Sequence, residues 1–529
     1  MKRLLIYTPF SAWPNDTNIV AYLAGIFEHK GWQVHLLTCG GVLRACDVRQ
    51  PSRCPQFAAR DKQDMCAYCT DCRKYYNRLT TPIQHSLEQY LTLEAEFQEA
   101  LLQSNDAEAL QAISYRGYRL FDIAESSLYV HDRNTDLDFQ DPATLALLRD
   151  YLFDAAVSIN AIGNFLDSHD FDRVIIRNGR MNTTKAMLEI MRKQNKEFVT
   201  LDRGVRKGTL NLIHNEVVHG MYMAAAEQFE AICHRPLQAA EVNELAPCLL
   251  PQSTEESRVR SIQFDWQDAR KTADGLGLSG DYLVLLPSSL DEVIRFHRER
   301  GFRSAFKDQQ DFIETACASV AAGQQHTLVV RAHPNSGSSR SLGTNQSECD
   351  FYADLAQRYA DSPHVRIVQP DEAVNTLSLC LGAALVLTWA TSMTLELPCY
   401  GVCVAQAGGA DYFQLPFVGQ VPDRDLTTQI TRLLAAPLSR TQIQLAVRYN
   451  YAWRFLAFMD VPHLHWPTWQ APRLLVKSSA ELFQTHGEHS ERLYRFILGE
   501  SVARTPSMEP PQTFQSEAQL LEQLSRFRG

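Results

Sequence analysis

Nowhere in its 529 residues does the chain carry an apolar run approaching the roughly 20 residues that a helix needs to cross a bilayer. A basic surplus is also missing: 51 lysines and arginines stand against 61 acidic residues, a formal net charge of −10. Duplex nucleic-acid binders normally show the opposite balance, although net charge leaves local basic patches open. There is no internal repeat and no low-complexity tract, which sets aside solenoids and fibrous arrays. The opening residues, MKRLLIYTPFSAWPND, hold a basic pair and a short apolar run. That run is too short for a signal-peptide core and no small-residue cleavage site follows it. It reads as a first buried strand, so the expected location is the cytoplasm, with any membrane association peripheral and at the inner face. What is present, 45% hydrophobic and 21% charged residues, is the profile of a soluble globular protein. The length implies two large domains.

Cysteine is abundant where a cytosolic chain would have little. Of 13 cysteines, Cys39, Cys46, Cys54, Cys66, Cys69 and Cys72 fall within the first 72 residues. A reducing compartment disfavours disulfides. The spacing Cys66-x-x-Cys69-x-x-Cys72 places three thiols in one tight turn, with Cys39 and Cys46, or Cys54, to complete a set. Four thiolates around Zn²⁺ would staple a long loop that has little apolar content. An iron–sulfur cluster uses similar spacing, but the Cys-Pro that completes its signature is missing. The bland alternative is a group of free, partly buried thiols.

Strand and helix patterns alternate along the chain. KRLLIY, the helix TNIVAYLAGIFEHKG and WQVHLLT form a βαβ unit whose strands should pair in parallel. A cysteine-rich loop over 39–72 follows, then helical patterns from Pro82 to Ser104 and over 141–168. FDRVIIRNGR, NTTKAMLEIMRKQNK and EFVTLDRG resume the alternation. Residues 246–262, rich in proline and serine, read as a linker. Beyond it, DYLVLLPSS, TLVVRAHPNS, HVRIVQPDE, ALVLTWATS and GVCVAQAGG each join a strand-like run to a polar loop, with helical segments between. Such alternation implies parallel sheets covered on both faces. The expected fold class is α/β, with two doubly wound domains facing a cleft. The first covers 1–250 with a helical insertion over about 82–168, and the second covers 263–440. Helices and a tail occupy 441–529.

In open α/β sheets ligands bind beyond the carboxyl ends of the strands, so the loops after strands carry the functional argument. Ser288 and Ser289 follow LVLLP, with Asp291 and Glu292 beyond them. Arg331 and His333 follow TLVV; Gln369, Asp371 and Glu372 follow HVRIV; Thr391 and Ser392 follow ALVLTWA, with Glu396 one turn on. Hydroxyls beside a helix start suit a phosphate, a histidine adds a donor, and a carboxylate can accept from ribose hydroxyls. Together these loops describe a nucleotide-sugar site. Taken singly, His333 could be a locally satisfied strand-end histidine, Ser392 a helix cap and Glu396 a first-turn carboxylate.

PSSLDE (287–292), FKDQQDFI (306–313), VVRAHPN (329–335), IVQPDE (367–372) and WATSMTLELPCYGVCV (389–404) resemble the capsule-polysaccharide biosynthesis glycosyltransferases. This bacterial family is related to the Kdo transferases. RNGRMN (177–182) and LDRG (201–204) extend the resemblance into the first domain. The resemblance implies the two-domain GT-B fold, two Rossmann-like domains, and a sugar transfer from a nucleotide donor. A CMP-sugar such as CMP-Kdo is favoured, with a capsule, lipopolysaccharide or other surface-glycan acceptor. By it His333 would contact the donor phosphate or nucleotide, Ser392 the phosphate and Glu396 the ribose. Met393 and Leu397 depart from the family's small-residue run after the serine, which leaves the donor sugar open.

The first domain is then expected to hold the acceptor and the base. Arg177, Arg180 and Arg203, with Arg206 and Lys207, gather positive charge at two strand ends and suit a phosphate or an acidic sugar; a solvated basic face is the alternative. An inverting transfer needs a group to deprotonate the acceptor hydroxyl. Asp16 and Asp202 are the preferred candidates, ahead of Glu125 and His214. No metal is expected at the donor phosphate. Two other functions fit these loops: a CDP-alcohol polyol-phosphate transferase, and a non-catalytic nucleotide- or glycan-binding assembly subunit. GLGLSG (275–280) precedes a strand and is read as a turn, not a phosphate loop, and HNEVVH (214–219) has the wrong spacing for a zincin pair.

Overall fold

The computed structural model describes residues 1–52, 54–250, 269–278, 281–290, 304–337, 344–409, 414–467, 472–502 and 513–528. The chain divides into two compact units. One comprises Met1–Met221 with Phe458–Met508, the other Tyr222–Ala457 with Glu509–Gly529. This division departs from the boundaries expected at 250 and 441. Residues from Tyr222 already belong to the second unit, and the chain returns to the first at Phe458. The cause of the return is local: strand Met459–Asp460 pairs antiparallel with Thr209–Leu210 in the first unit's sheet. Most of the linker expected over 246–262, together with Asp291 and Glu292, lies outside the described residues.

In the first unit the strands are β1 (Arg3–Tyr7), β2 (Gln33–Thr38), β3 (Ile83–Ser86), β4 (Arg173–Arg177), β5 (Val199–Arg203), β6 (Thr209–His214) and, from the returning chain, β13 (Met459–Asp460). Across the sheet they run β13-β6-β5-β4-β1-β2-β3. The β3–β2–β1–β4–β5 part is parallel, and β6 and β13 add antiparallel. Alternation along β1 explains the two covered faces. Leu5 and Tyr7 enter a core with helices Leu120–His131, Pro142–Ser168 and Asn182–Lys193. Leu4 and Ile6 enter another, with helix Pro14–His29 and with Leu482, Leu493 and Ile497. Each of these side chains is almost fully buried, worth roughly 1.5–3 kcal/mol apiece against exposure.

The second unit has strands β7 (Tyr282–Leu286), β8 (Thr327–Arg331), β9 (Val365–Val368), β10 (Leu385–Thr388), β11 (Val404–Gln406) and β12 (Gly419–Gln420). Their order is β9-β8-β7-β10-β11-β12, all parallel. Numbered within the unit this is 3-2-1-4-5-6, the doubly wound order of dinucleotide-binding sheets. The first unit repeats 3-2-1-4-5 before its antiparallel edge. Both units are therefore Rossmann-like. Each sheet reverses direction beside its first strand, between β1 and β4 in one and between β7 and β10 in the other.

Two local expectations need correction. Residues 82–104 are not one helix: Ile83–Ser86 is an edge strand, Leu87–Tyr90 a 3-10 turn and Ala95–Gln103 a helix. Pairing with β2 favours the strand, because His85 stacks on His35 with ring centroids 5.3 Å apart, and Ser86 with Gln89 then forms a capping box. Nor is Cys66–Cys72 a tight turn. It lies in helix Lys62–Cys72, whose first turn is capped where Gln63 N–H donates to Asp61. Among the described residues no helix is long and apolar enough to cross a membrane.

Candidate functional site

At the reversal point of the first sheet, the end of β4 meets the loop and helix that follow β1. Pro14 starts that helix, and Asp16 sits in its first turn, where a carboxylate complements the helix dipole. Arg177, the last residue of β4, donates from Nε to Asp16 Oδ1 at 2.8 Å. Its Nη1 lies 2.7 Å from Asp202 Oδ1 at the end of β5 and also donates to the Leu201 carbonyl. One guanidinium thus clamps both carboxylates expected as bases, beside a small cavity lined also by Tyr7 and Thr8. Asp16 is 2% exposed. Burial pushes its carboxyl above the ordinary value, and the neighbouring Arg177 pulls the other way without prevailing. Burial also works against the charge on Arg177, yet the two carboxylates hold its pKa above the usual value.

The turn after β4 is built for this position. Asn178 and Gly179 are both left-handed, with φ of 62° and 78°. A Cβ on Gly179 would come within 2.8 Å of Leu188, so no other residue fits without displacement. Asn178 Nδ2 donates to Asp202 Oδ2 at 2.7 Å, and its Oδ1 accepts from Arg180 N–H. Arg203 N–H donates to Asp202 Oδ1. Arg180 is buried, and Arg206 is ion-paired to buried Asp460 at 3.0 Å. These arginines do not form one exposed patch. His214, at the end of β6, donates from Nε2 to the Phe496 carbonyl at 2.8 Å, and Glu125 is buried in helix Leu120–His131; neither is among the residues lining the Asp16 cavity.

In the second unit the reversal point joins Ser288 to the chain after β10. Ala390 N–H donates to Ser288 Oγ at 3.2 Å. Ser288 is held in turn by Gln309, whose amide bonds both its N–H and its carbonyl at 2.8 Å. Ser289 is buried beside it. Leu290 N–H donates to Glu348, whose other oxygen accepts from Ser336 Oγ and Asn345 Nδ2. A single buried carboxylate therefore ties the loop after β7 to the loop after β8.

His333 opens the 3-10 turn Pro334–Ser336, and its Nδ1 accepts from Asn335 N–H at 3.1 Å. With Nδ1 accepting, a neutral ring carries its proton on Nε2. Arg331 plays a different part from the expected one. Its guanidinium donates to the carbonyls of Gln369, Ala332 and Glu372, fastening β8 to the loop after β9. Burial lowers its pKa to about 10, against the pull of Glu372 and Asp371. Gln369 belongs to the same fastening, accepting from Arg331 and donating to the Tyr352 carbonyl.

Ser392 has helical backbone angles and makes no side-chain cap bond; Thr391 Oγ1 accepts from Met393 N–H instead. The helix they start, Met393–Glu396, is a single turn that passes into Leu397–Tyr400. Glu396 lies 3.0 Å from Arg454 Nη2, in the π-helical turn Ala452–Leu456. Gln309, Glu348 and Arg454 were missed as site residues. Gln309 lay in the FKDQQDFI motif, at the first turn of helix Gln309–Gly323; nothing in the sequence marks Arg454.

Of the six clustered cysteines, Cys69 and Cys66 lie within electrostatic reach of Cys39, and Cys39 and Cys69 within reach of Cys46; none of the six is in a disulfide. Cys72 is hydrogen-bonded to the Tyr68 side chain.

No protein-family model matches the chain, and no curated protein matches it. Among solved structures it is similar to a putative UDP-N-acetylglucosamine 2-epimerase from Listeria monocytogenes, at 10% identity over 96% of this chain and 99% of that one, TM-score 0.29. It is similar to the beta Kdo 2,4 transferase KpsC of Thermosulfurimonas dismutans, at 12% identity over 58% of this chain and 85% of that one, TM-score 0.30. A third is the UDP-GlcNAc 2-epimerase of Methanocaldococcus jannaschii in complex with UDP-GlcNAc and UDP, at 11% identity over 84% and 97%, TM-score 0.28. Likenesses this distant assign no activity. The Rossmann-like description rests on the two sheets themselves.

Proposed function

We propose that the protein is a glycosyltransferase that moves a sugar from a nucleotide donor, CMP-linked in preference to UDP-linked, to a capsule, lipopolysaccharide or other surface-glycan acceptor. The observation that carries this reading is the second unit's reversal point. There the 3-2-1-4-5-6 sheet brings Ser288 and the Trp389–Ser392 segment together through the Ala390–Ser288 bond. That is where such sheets take nucleotides. In this reading Ser288, Thr391, Ser392 and the Nε2–H of His333 receive the donor's phosphate without a metal, and Glu396, steadied by Arg454, accepts from the ribose. The motif resemblance to the capsule-polysaccharide transferases supports the same assignment.

The first unit supplies the acceptor side. The carboxylate of Asp16, raised by burial, takes the proton of the attacking acceptor hydroxyl while the nucleotide phosphate leaves with the electrons of the broken glycosidic bond. Asp202 shares the work of holding Arg177. A second reading is favoured by one observation: both carboxylates are already committed to Arg177, as they would be in a non-catalytic binding subunit. Incubation with CMP-Kdo and with UDP-sugars, followed by assay of released nucleotide, separates the two. Transfer predicts CMP release that falls in Asp16→Asn while nucleotide binding persists. Binding of nucleotide with no release from any donor would replace it with the subunit reading.

A further inference from the structure

We propose that Cys39, Cys46, Cys66 and Cys69 are the four ligands of a [4Fe–4S] cluster in the first unit, with Cys54 and Cys72 outside the ligand set. Cys39 directly follows β2, and Gly40 and Gly41, with φ of 74° and 85°, turn the chain back over it. Gly41 N–H donates to Cys39 Sγ at 3.1 Å. The position a Cβ on Gly41 would take lies 3.7 Å from Cys66 Sγ, so this glycine sits against two of the thiols at once. Backbone N–H groups of Leu43 and Val48 donate to Cys39 and Cys46, and those of Ser11 and Ala12 to Cys69. A donor two residues beyond its cysteine, as at Gly41 and Val48, is an arrangement that stabilises a sulfur carrying charge and tunes a bound metal.

The ligand set follows from the helix. On Lys62–Cys72, Cys66 and Cys69 are three residues apart and share a face, while Cys72 lies about 120° round from Cys66. Cys39 lies near Cys69 and Cys66, and Cys46 near Cys39 and Cys69. Cys72 is bonded to Tyr68 and neighbours only Cys69 of the four, its partner one turn back. Cys54 stands at the start of the separate short helix Pro55–Ala58, off the helix that carries Cys66 and Cys69.

Spacing selects the cofactor. Four sulfurs each about 2.3 Å from one zinc ion stand ~3.8 Å from each other in a tetrahedron. Among the described residues the only group of three or more histidine, cysteine or carboxylate ligand atoms mutually within 4.8 Å is His486, Glu488 and His489. The clustered sulfurs are therefore set wider than zinc needs. A four-iron cluster interposes its own iron and sulfide between the cysteines and so takes a wider set. Through Cys69 the cluster would pin Ser11 and Ala12, in the loop that leads to Asp16. The assignment is independent of the transfer reading.

The test uses the full chain purified without oxygen and, in parallel, reconstituted with ferric iron, sulfide and a thiol reductant that supplies the two electrons the cluster needs. The expected result is a brown protein with about four irons and four sulfides per chain. Cys39→Ser, Cys46→Ser, Cys66→Ser and Cys69→Ser should each lose the iron, whereas Cys54→Ser and Cys72→Ser should keep the wild-type content. Circular dichroism identifies any variant that fails to fold; if none of the four folds, iron and sulfide content of the wild type, with the paramagnetic signal of its reduced form, still decides. One zinc per chain in place of iron would overturn the cluster. So would the absence of any metal after reconstitution, and loss of iron in Cys72→Ser equal to that in Cys66→Ser would overturn the ligand set.

Discussion

Replacing Arg177 by leucine should destabilise the first unit in a way that depends on pH and is repaired by a second substitution. The guanidinium is the counter-charge of Asp16, which is 2% exposed. Removing one partner of a buried ion pair costs about 3–5 kcal/mol, because the other charge is left uncompensated. Asp202 keeps its donors from Asn178 and Arg203, so most of the loss falls on Asp16. Its carboxyl already sits above the ordinary range through burial, with Arg177 the main opposing influence; without Arg177 it rises further. A carboxyl whose folded pKa exceeds its unfolded value binds more protons in the native state, so stability falls as pH climbs from about 3.9 toward the folded value. The deficit of Arg177→Leu against wild type should thus be largest near pH 8 and shrink on acidification. Adding Asp16→Asn removes the stranded charge and should recover most of the loss at pH 8. Urea unfolding followed by circular dichroism at pH 5 and pH 8 measures both effects. A deficit equal at the two pH values, or losses from the two substitutions that simply add, would refute the reasoning.

Gln309→Ala strips Ser288 of both backbone partners in a buried setting; each group left unsatisfied costs about 1–3 kcal/mol, and the urea midpoint should fall together with nucleotide affinity. Glu348→Ala should accelerate amide exchange at Leu290 while strands β7 and β8 keep their protection, since it removes the tie between their loops. Arg424 donates to Asp311 and holds that carboxyl down at about 2. A depressed carboxyl contributes stability above its unfolded value, near 3.9, that is lost as pH falls through about 2. In Arg424→Met an NMR titration should find Asp311 moved upward, with little stability lost because Arg424 is half exposed.

The order of strands and the loops after them were legible because a buried parallel strand announces itself as a short apolar run ending in polar residues. LVLLPSS and TLVVRAHP mark where Ser288 and His333 lie. Their bonding was not legible, since it is made at long sequence separation. Asp16 and Arg177 are 161 residues apart, and no local pattern could show that one arginine holds both expected bases. Arg331 looked like a ligand contact by residue type, yet it fastens three carbonyls. The cysteine segment read as a turn because its helix carries few apolar residues and only Met65 and Cys72 are buried. The unit boundary was missed because β13 is two residues long and joins the sheet by pairing, which leaves no periodic signal.

The central claim, that the second unit's reversal point takes a nucleotide, is tested most directly by calorimetric titration of the full chain with CMP, CDP and UDP. The account predicts saturable binding with cytidine nucleotides ahead of UDP, weakened by Ser288→Ala and by His333→Ala. No heat of binding from any of the three at millimolar concentration would contradict it.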